Sequence, residues 1–338
     1  MIFHRKEINM KSFKKTLLFR ILKKSGVFRI KPLVLNVKDN WKWREQKKSF
    51  SKNKNENITI YIVRRKSKDA GLFSYFITTL GGIAYAEEHG MVPVVDFQNY
   101  PNQYILPKEI GKKNMWEFYF QQPGGISLED ALKSKNVVLG NGNVNYSFPP
   151  LSKDLFENKN GELNHWRAIC KKYIFFNDAV IQRYEQGKAM FSGKKVLGVL
   201  CRGTDYVAVK PIGHPVQPNV EMVIEKAEAA MNKESFDAVY LVTEDVQIVA
   251  AFKEKYGDKL LLSQQEYIDY DYEKKGFLVF YEENKQDKYN RGMDYLIAVL
   301  LLKECKGLIT TITSGSVGIM CLADDFDYLY VFDLGYYQ

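Results

Sequence analysis

The chain predicts an α/β fold with parallel sheets, divided into two domains, and three observations carry that reading. Short β-branched runs alternate with apolar helical stretches, and several of these runs end abruptly on polar residues. The third is size, because 338 residues exceed what one hydrophobic core usually serves. The expected division is a basic extension and linker over 1–55, a first domain over 56–190 and a second over 191–338.

Composition narrows the class. A hydrophobic fraction of 46% supports real cores, and the net charge of +9 suggests a nucleic-acid protein until it is divided along the chain. Residues 1–55 hold 17 Lys and Arg against 3 Asp and Glu, leaving 32 against 37 in the remainder. The body is mildly acidic, which argues against a groove tracking a phosphate backbone and hence against nucleic acid as a partner. The four cysteines, Cys170, Cys201, Cys305 and Cys321, form no close CxxC pair, so neither a zinc site nor a disulfide framework is indicated. With no secretory signal evident, a cytoplasmic location is expected.

Met10 to Lys24 places Met10, Phe13, Leu17 and Ile21 on one helical face with lysines and Arg20 around the other. Such a basic amphipathic helix would lie on an anionic membrane surface, peripheral on its inner face, or pack on its own domain. Lys42 to Asn57 is polar and lysine-rich and reads as a linker.

The first domain opens with the strand pattern Ile58 to Val63, ending on Arg64 and Arg65. Gly71 enters a long apolar helix stopped by Gly90, and Met91 to Val95 makes a second strand ending on Asp96: a βαβ unit. Gly71 would either bring helix N–H groups against an anionic or sugar ligand or simply shape a tight turn. The segment after Asp96 is rich in aromatics and amides, including Asn99, Tyr100, Asn114, Trp116 and Glu117. Flat rings cover the C–H face of a pyranose while polar groups meet its hydroxyls, but a partly buried aromatic cluster would look the same. Beyond it come helical stretches and one short strand, Asn136 to Leu139.

The second domain begins near Lys194. Its organising strand, Val196 to Leu200, breaks into Arg202, Gly203, Thr204 and Asp205, followed by a loop stiffened by Pro211, Pro215 and Pro218. Ligands gather at the carboxyl ends of parallel strands, so Arg202 there is either aimed at a diphosphate or carboxylate or makes a surface salt bridge. A helix from Asn219 to Met231 leads to the strand Ala238 to Val242, which ends on Thr243, Glu244 and Asp245. Arg291 and Asp294 open another helix. The strand Gly307 to Thr311 then runs into Thr313, Ser314, Gly315 and Ser316, which either bind phosphate through hydroxyls and first-turn amides or only cap the following helix. Tyr328 to Phe332 is the last strand.

Three patches, in order, resemble the α-1,6-fucosyltransferase superfamily: CRGTDYVAVKPIGHPVQP at 201–218, YLVTED at 240–245, and RGMDYLIAVLLLKECKGLITTITSGSVG at 291–318. The resemblance spans mainly 195–320. It implies two facing Rossmann-like domains in the GT-B arrangement and an inverting, metal-free transfer from GDP-fucose to a glycan acceptor, with the GDP-sugar a substrate and no cofactor. By the same resemblance Arg202 would clamp the pyrophosphate, with Gly203, His214, Glu244, Asp245, Asp294, Thr313, Ser314, Gly315 and Ser316 around the donor, Asp294 facing guanine. Where the family carries its suspected catalytic glutamate, this chain has Lys210. A protonated lysine would neutralise the leaving diphosphate instead, moving the base to Asp205, Asp96 or Glu117. His214 would assist or merely hold its loop. The acceptor side would use Gly71, Asp96, Trp116 and Glu117.

Two other readings stay open. Asp269-Tyr270-Asp271 and Asp325-Phe326-Asp327 have the DxD form that holds a divalent metal in GT-A transferases. Lys210 and the basic extension would also suit a non-catalytic protein that binds glycans or anionic polymers.

Overall fold

The computed structural model describes residues 41–202, 204–269 and 288–338, and of Thr204 and Asp205 only the backbone. The amphipathic segment expected at 10–24, Gly203 and the pair Tyr270-Asp271 lie outside the described residues. By packing, Glu45–Gln338 forms the larger of two units.

The larger unit holds two sheets. The first has the order β1-β4-β2-β3, from Gln46–Lys48 (β1), Ile60–Val63 (β2), Val92–Val95 (β3) and Val137–Leu139 (β4). β2 runs parallel to both neighbours, with Ile60 opposite Val92 on one side and Val137 on the other. All four β2 residues are buried, as a strand covered on both faces requires. β1 corrects the linker expected at 42–57: Gln46, Lys47 and Lys48 pair antiparallel with Leu139, Val138 and Val137. Its lysine-rich sequence suits an exposed edge strand, where charge discourages further pairing. Helix α1, Leu72–Glu88, connects β2 to β3 and is buried over most of its surface, because it is apolar nearly all round.

The second sheet is wholly parallel, with order β7-β6-β5-β8-β9, from Val196–Leu200 (β5), Ala238–Val242 (β6), Leu260–Leu262 (β7), Gly307–Thr311 (β8) and Tyr328–Phe332 (β9). β7 is a strand that the sequence pattern did not single out. Side chains alternate across β5. Leu197 and Val199 pack with Val223 and Ala227 of the helix Val220–Glu234 on one face, while Val196 and Leu200 join the other. That second face is covered by the helices Lys288–Leu300 and Ser314–Leu322.

Among the described residues, the remaining α-helices longer than four residues are α2 (Glu162–Tyr173), α3 (Asp178–Lys188), α4 (Thr204–Val209), α5 (Val220–Glu234), α6 (Val246–Tyr256), α7 (Lys288–Leu300) and α8 (Ser314–Leu322). One hydrophobic cluster runs from the second sheet through α7 and α8 into α1 and α2, joining Leu200, Leu296 and Val317 to Phe73, Leu80 and Trp166. α8 is therefore enclosed, with seven of its nine residues buried. Gly318 permits the approach of α1, since a Cβ there would stand 2.2 Å from the Phe73 ring.

Overpacking at that point has a calculable consequence. Gly318→Val should lower stability by about 1–3 kcal/mol, read as a lower urea midpoint at unchanged slope. Combining it with Phe73→Ala, which empties the colliding volume, should cost less than the two single losses together.

Candidate functional site

β5 is the first strand of the second sheet. The chain adds β6 and β7 on one side, then returns to add β8 and β9 on the other, so the connections leave the carboxyl ends of β5 and β8 in opposite directions. Such a reversal opens a crevice at those ends, the usual ligand position in a doubly wound sheet. The Cys201 amide continues the ladder by donating to Val242 O at 3.0 Å, so Arg202 emerges directly at the sheet's rim. Its guanidinium lies over the Tyr206 ring at 4.3 Å, a cation–π contact that orients it. Thr204 and Asp205 open α4. Lys210 follows the end of α4 in the left-handed conformation (φ 49°), its amide donating to Tyr206 O at 3.0 Å, with an exposed side chain. His214 is exposed on the next loop, its ring 5.5 Å from that of Tyr206.

At the end of β8, Thr313 and Ser316 form a reciprocal cap. Ser316 N donates to Thr313 Oγ1 at 3.1 Å and Thr313 N to Ser316 Oγ at 2.8 Å, while Ser316 Oγ reaches Thr311 O at 2.5 Å. Both hydroxyls, expected near phosphate, are thus committed to the turn, and Ser316 is fully buried. Ser314 keeps a half-buried side chain at the first position of α8, beside amides that carry the positive end of the helix dipole. Gly315 allows a hydroxyl to come close: a Cβ there would stand 2.7 Å from Tyr295 Oη. Tyr295 also meets Phe73 of α1 edge-on at 5.7 Å.

The end of β6 divides its two carboxylates. Asp245 caps α6, its Oδ1 accepting from Gln247 N at 2.7 Å and Ile248 N at 3.4 Å, and is 2% exposed. Glu244 stays accessible and pairs with Arg291 at 3.6 Å. The same two charges bear on Tyr104 from the first half of the chain: burial raises its pKa, Arg291 opposes the rise and Glu244 adds to it. Gly292 brings α7 against that half, since a Cβ there would collide with the Tyr119 hydroxyl, which donates to Tyr289 O at 3.1 Å. Asp294, expected to face guanine, is held by Arg183 Nη2 of α3 at 2.6 Å. Sequence reasoning missed Arg183, which is recruited from a distant segment with no motif around it, and gave Tyr104 and Tyr295 no such roles although both lie in segments it had singled out.

The residues expected on the acceptor side separate. Gly71 is the exposed N-cap of α1, with no side-chain cap and open space where a Cβ would stand. Glu117 is exposed and accepts from Asn114 Nδ2 at 3.2 Å and Gln122 Nε2 at 2.6 Å. Trp116 corrects the expectation of a sugar platform: it is 1% exposed, stacks on Phe120 at 4.3 Å and donates Nε1–H to Gln121 O. A ring so enclosed has no face left for a pyranose, and the aromatic run around it is core. Asp96 is also enclosed. Its Oδ1 accepts from the amides of Gln98 and Asn99 at 3.1 and 3.0 Å, and Asn99 Nδ2 reaches both carboxylate oxygens. Arg65, at the end of β2, is held by Ser74 O at 2.6 Å and by the hydroxyls of Ser74 and Thr78, both at 3.1 Å. The doubled arginine was its only signal in the sequence.

Of the DxD candidates, Asp325 is 90% exposed and bound by Arg167 at 2.7 Å, and Asp269 is exposed. Among the described residues no group of three His, Cys, Asp or Glu is placed to hold a metal ion, and no helix is long and apolar enough to cross a membrane.

Burial of Asp96 raises its pKa above the ordinary 3.8 despite those hydrogen bonds. The folded state therefore binds the proton more tightly than the unfolded chain, and stability falls as pH rises from 3.8 through the raised value. Asp96→Asn should remove that part of the fall, measured as unfolding midpoints over an upward pH series.

No protein-family profile matches the chain, and no curated protein does. Solved structures do. The fucosyltransferase NodZ from Bradyrhizobium is similar at 16% identity and a TM-score of 0.48, covering 79% of this chain and 94% of that one. POFUT1, solved in complex with GDP-fucose, is similar at 10% identity and a TM-score of 0.47, covering 83% and 99%. A NodZ α-1,6-fucosyltransferase co-crystallised with GDP gives 14%, 0.47, and 79% and 93%.

Proposed function

We propose that the chain is a metal-independent, inverting glycosyltransferase of GT-B type that moves a sugar, fucose, from a GDP donor to a glycan acceptor in bacterial surface glycan synthesis. The observation that carries it is the meeting, at the reversal between β5 and β8, of the Arg202 strand end with the start of α8. A diphosphate leaving a sugar gains negative charge. A guanidinium held over Tyr206 and the first-turn amides of an enclosed helix are fixed donors for that charge, and need little rearrangement as it develops. Ser314 adds a hydroxyl, and Lys210 an exposed cation on the same loop. Thr313, Ser316 and Asp245 act by holding the rim in shape.

The acceptor hydroxyl must lose a proton. Asp96 is enclosed by three hydrogen-bond donors and Glu117 is bound by two amides, so the base in this reading is Asp205, three residues after Arg202 in the sequence. Glu244, Arg291 and Tyr104 stand where the two halves of the chain meet, and in this reading they line the acceptor side of the cleft between two lobes. The basic segment 10–24 would hold the enzyme at the anionic cytoplasmic face of the membrane, near a lipid-linked or growing glycan.

GDP at a hundredfold excess over its Kd should stabilise the protein by about 2.7 kcal/mol, seen as a higher melting temperature. Arg202→Ala should weaken GDP binding at least about tenfold, the loss of a charge-assisted contact. Donor hydrolysis and transfer should continue in EDTA and should be lost in Asp205→Asn while GDP binding persists. No stabilisation by GDP, with glycan binding intact in Arg202→Ala, would favour a binding module; loss of activity in EDTA would favour the DxD reading. Pelleting with anionic liposomes should depend on residues 1–55 and fall with added salt.

A further inference from the structure

The loop 211–218 follows α4 and carries His214, yet it has little structure of its own. Three of its residues are proline and lack an N–H. The other five, Ile212, Gly213, His214, Val216 and Gln217, keep a backbone N–H, and that of His214 donates within the loop, to Pro211 O at 3.1 Å. Three of the five donate to the segment after β9: Gly213 N to Tyr337 O at 2.8 Å, Val216 N to Gly335 O at 2.9 Å, and Gln217 N to Tyr337 Oη at 3.2 Å. Tyr337 N returns a bond to His214 O at 2.9 Å, and Pro215 and Tyr336 form an antiparallel bridge. Gly335, at φ 82°, supplies the reversal that lets the chain after β9 turn back along the loop.

The contact extends inward. Gln217 is 5% exposed, and its Oε1 accepts from Thr311 Oγ1 at 2.6 Å while its Nε2 donates to Pro215 O at 3.0 Å. Thr311 O accepts from Ser316 Oγ at 2.5 Å, and Ser316 N donates to Thr313 Oγ1. An unbroken hydrogen-bond chain thus runs from Tyr337 through Gln217 and Thr311 to the first turn of α8. Its far end is the turn to which we assign the diphosphate.

We propose that Tyr337 and Gln217 are positioning residues for the donor, and that the segment 335–337 is a strap holding the loop 211–217 and the α8 turn in one arrangement. This rests on the reading of that turn as the diphosphate site. Neither residue need touch the donor; both act by fixing groups that do. Loss of the Tyr337 hydroxyl leaves the Gln217 amide unanswered and frees the loop to open locally.

The test uses the full-length protein with GDP as probe, comparing wild type with Tyr337→Phe and Gln217→Met. The expected result is GDP affinity weakened about fivefold in Tyr337→Phe, the size of one lost hydrogen bond, and at least as much in Gln217→Met, which loses the bonds to Thr311 and Pro215. The amides of Gly213 and Val216 should exchange with deuterium faster in both variants, while exchange in β2 and α1 stays unchanged. With donor in hand, KM should rise by a similar factor and kcat should fall less than twofold. Unchanged loop exchange in both variants overturns the strap. Faster exchange with unchanged GDP affinity overturns the positioning role. If wild type binds no GDP, the functional reading fails and the positioning role with it, whereas the exchange comparison still decides the strap.

Discussion

The molecule depends on enclosing one short apolar helix. α8 has no polar face to offer water, so it is stable only when covered on all sides, by the second sheet, α7, α1 and α2. Two of its glycines make that coverage dense: Gly318 admits the Phe73 ring and Gly315 admits the Tyr295 hydroxyl. Apolar burial on this scale, at roughly 25 cal/mol per Å², is the term that holds the two sheets in one compact unit. It also determines where the first turn of α8 points, at the rim beside Arg202.

Polar groups at that rim divide their labour. An enclosed helix start leaves several amides without intrahelical partners, and buried amides must be satisfied. Thr313 and Ser316 answer this demand at α8 and Asp245 answers it at α6, which removes three side chains that look like ligands from the list of free ones. The rim also carries Ser314, the accessible Glu244 paired with Arg291, and the Arg202 guanidinium over the Tyr206 ring. A rim rigidified by its own hydrogen bonds can present fixed dipoles to a charge that develops during reaction, which is what departure of a diphosphate requires.

Much of the fold was legible from the residues. β5, β6 and β8 are continuous apolar runs because strands of a parallel sheet are buried on both faces, and they fall where the sequence pattern puts them. The helix after Gly71, its stop at Gly90 and the start of a helix at Asn219 were readable for similarly local reasons. β1 and β7 were not: Gln46–Lys48 is polar, and Leu260–Leu262, though apolar, is too short a run for periodicity to mark it as a strand. Trp116 shows the limit for side chains. Aromatic composition is the same in a sugar platform and in a core, and only its neighbours Phe120 and Gln121 decide between them.

By itself the amino-acid sequence determined the alternation of strand and helix, the polar strand ends, the split between a basic start and an acidic body, and the residue types available at each rim. These follow from local periodicity and charge, which need no knowledge of distant partners. The tertiary structure alone decided which of those residues are free. Arg183 holding Asp294, Glu244 pairing with Arg291, and Tyr337 answering Gln217 all join segments tens to more than a hundred residues apart, and such pairings exist only once burial has brought the segments together.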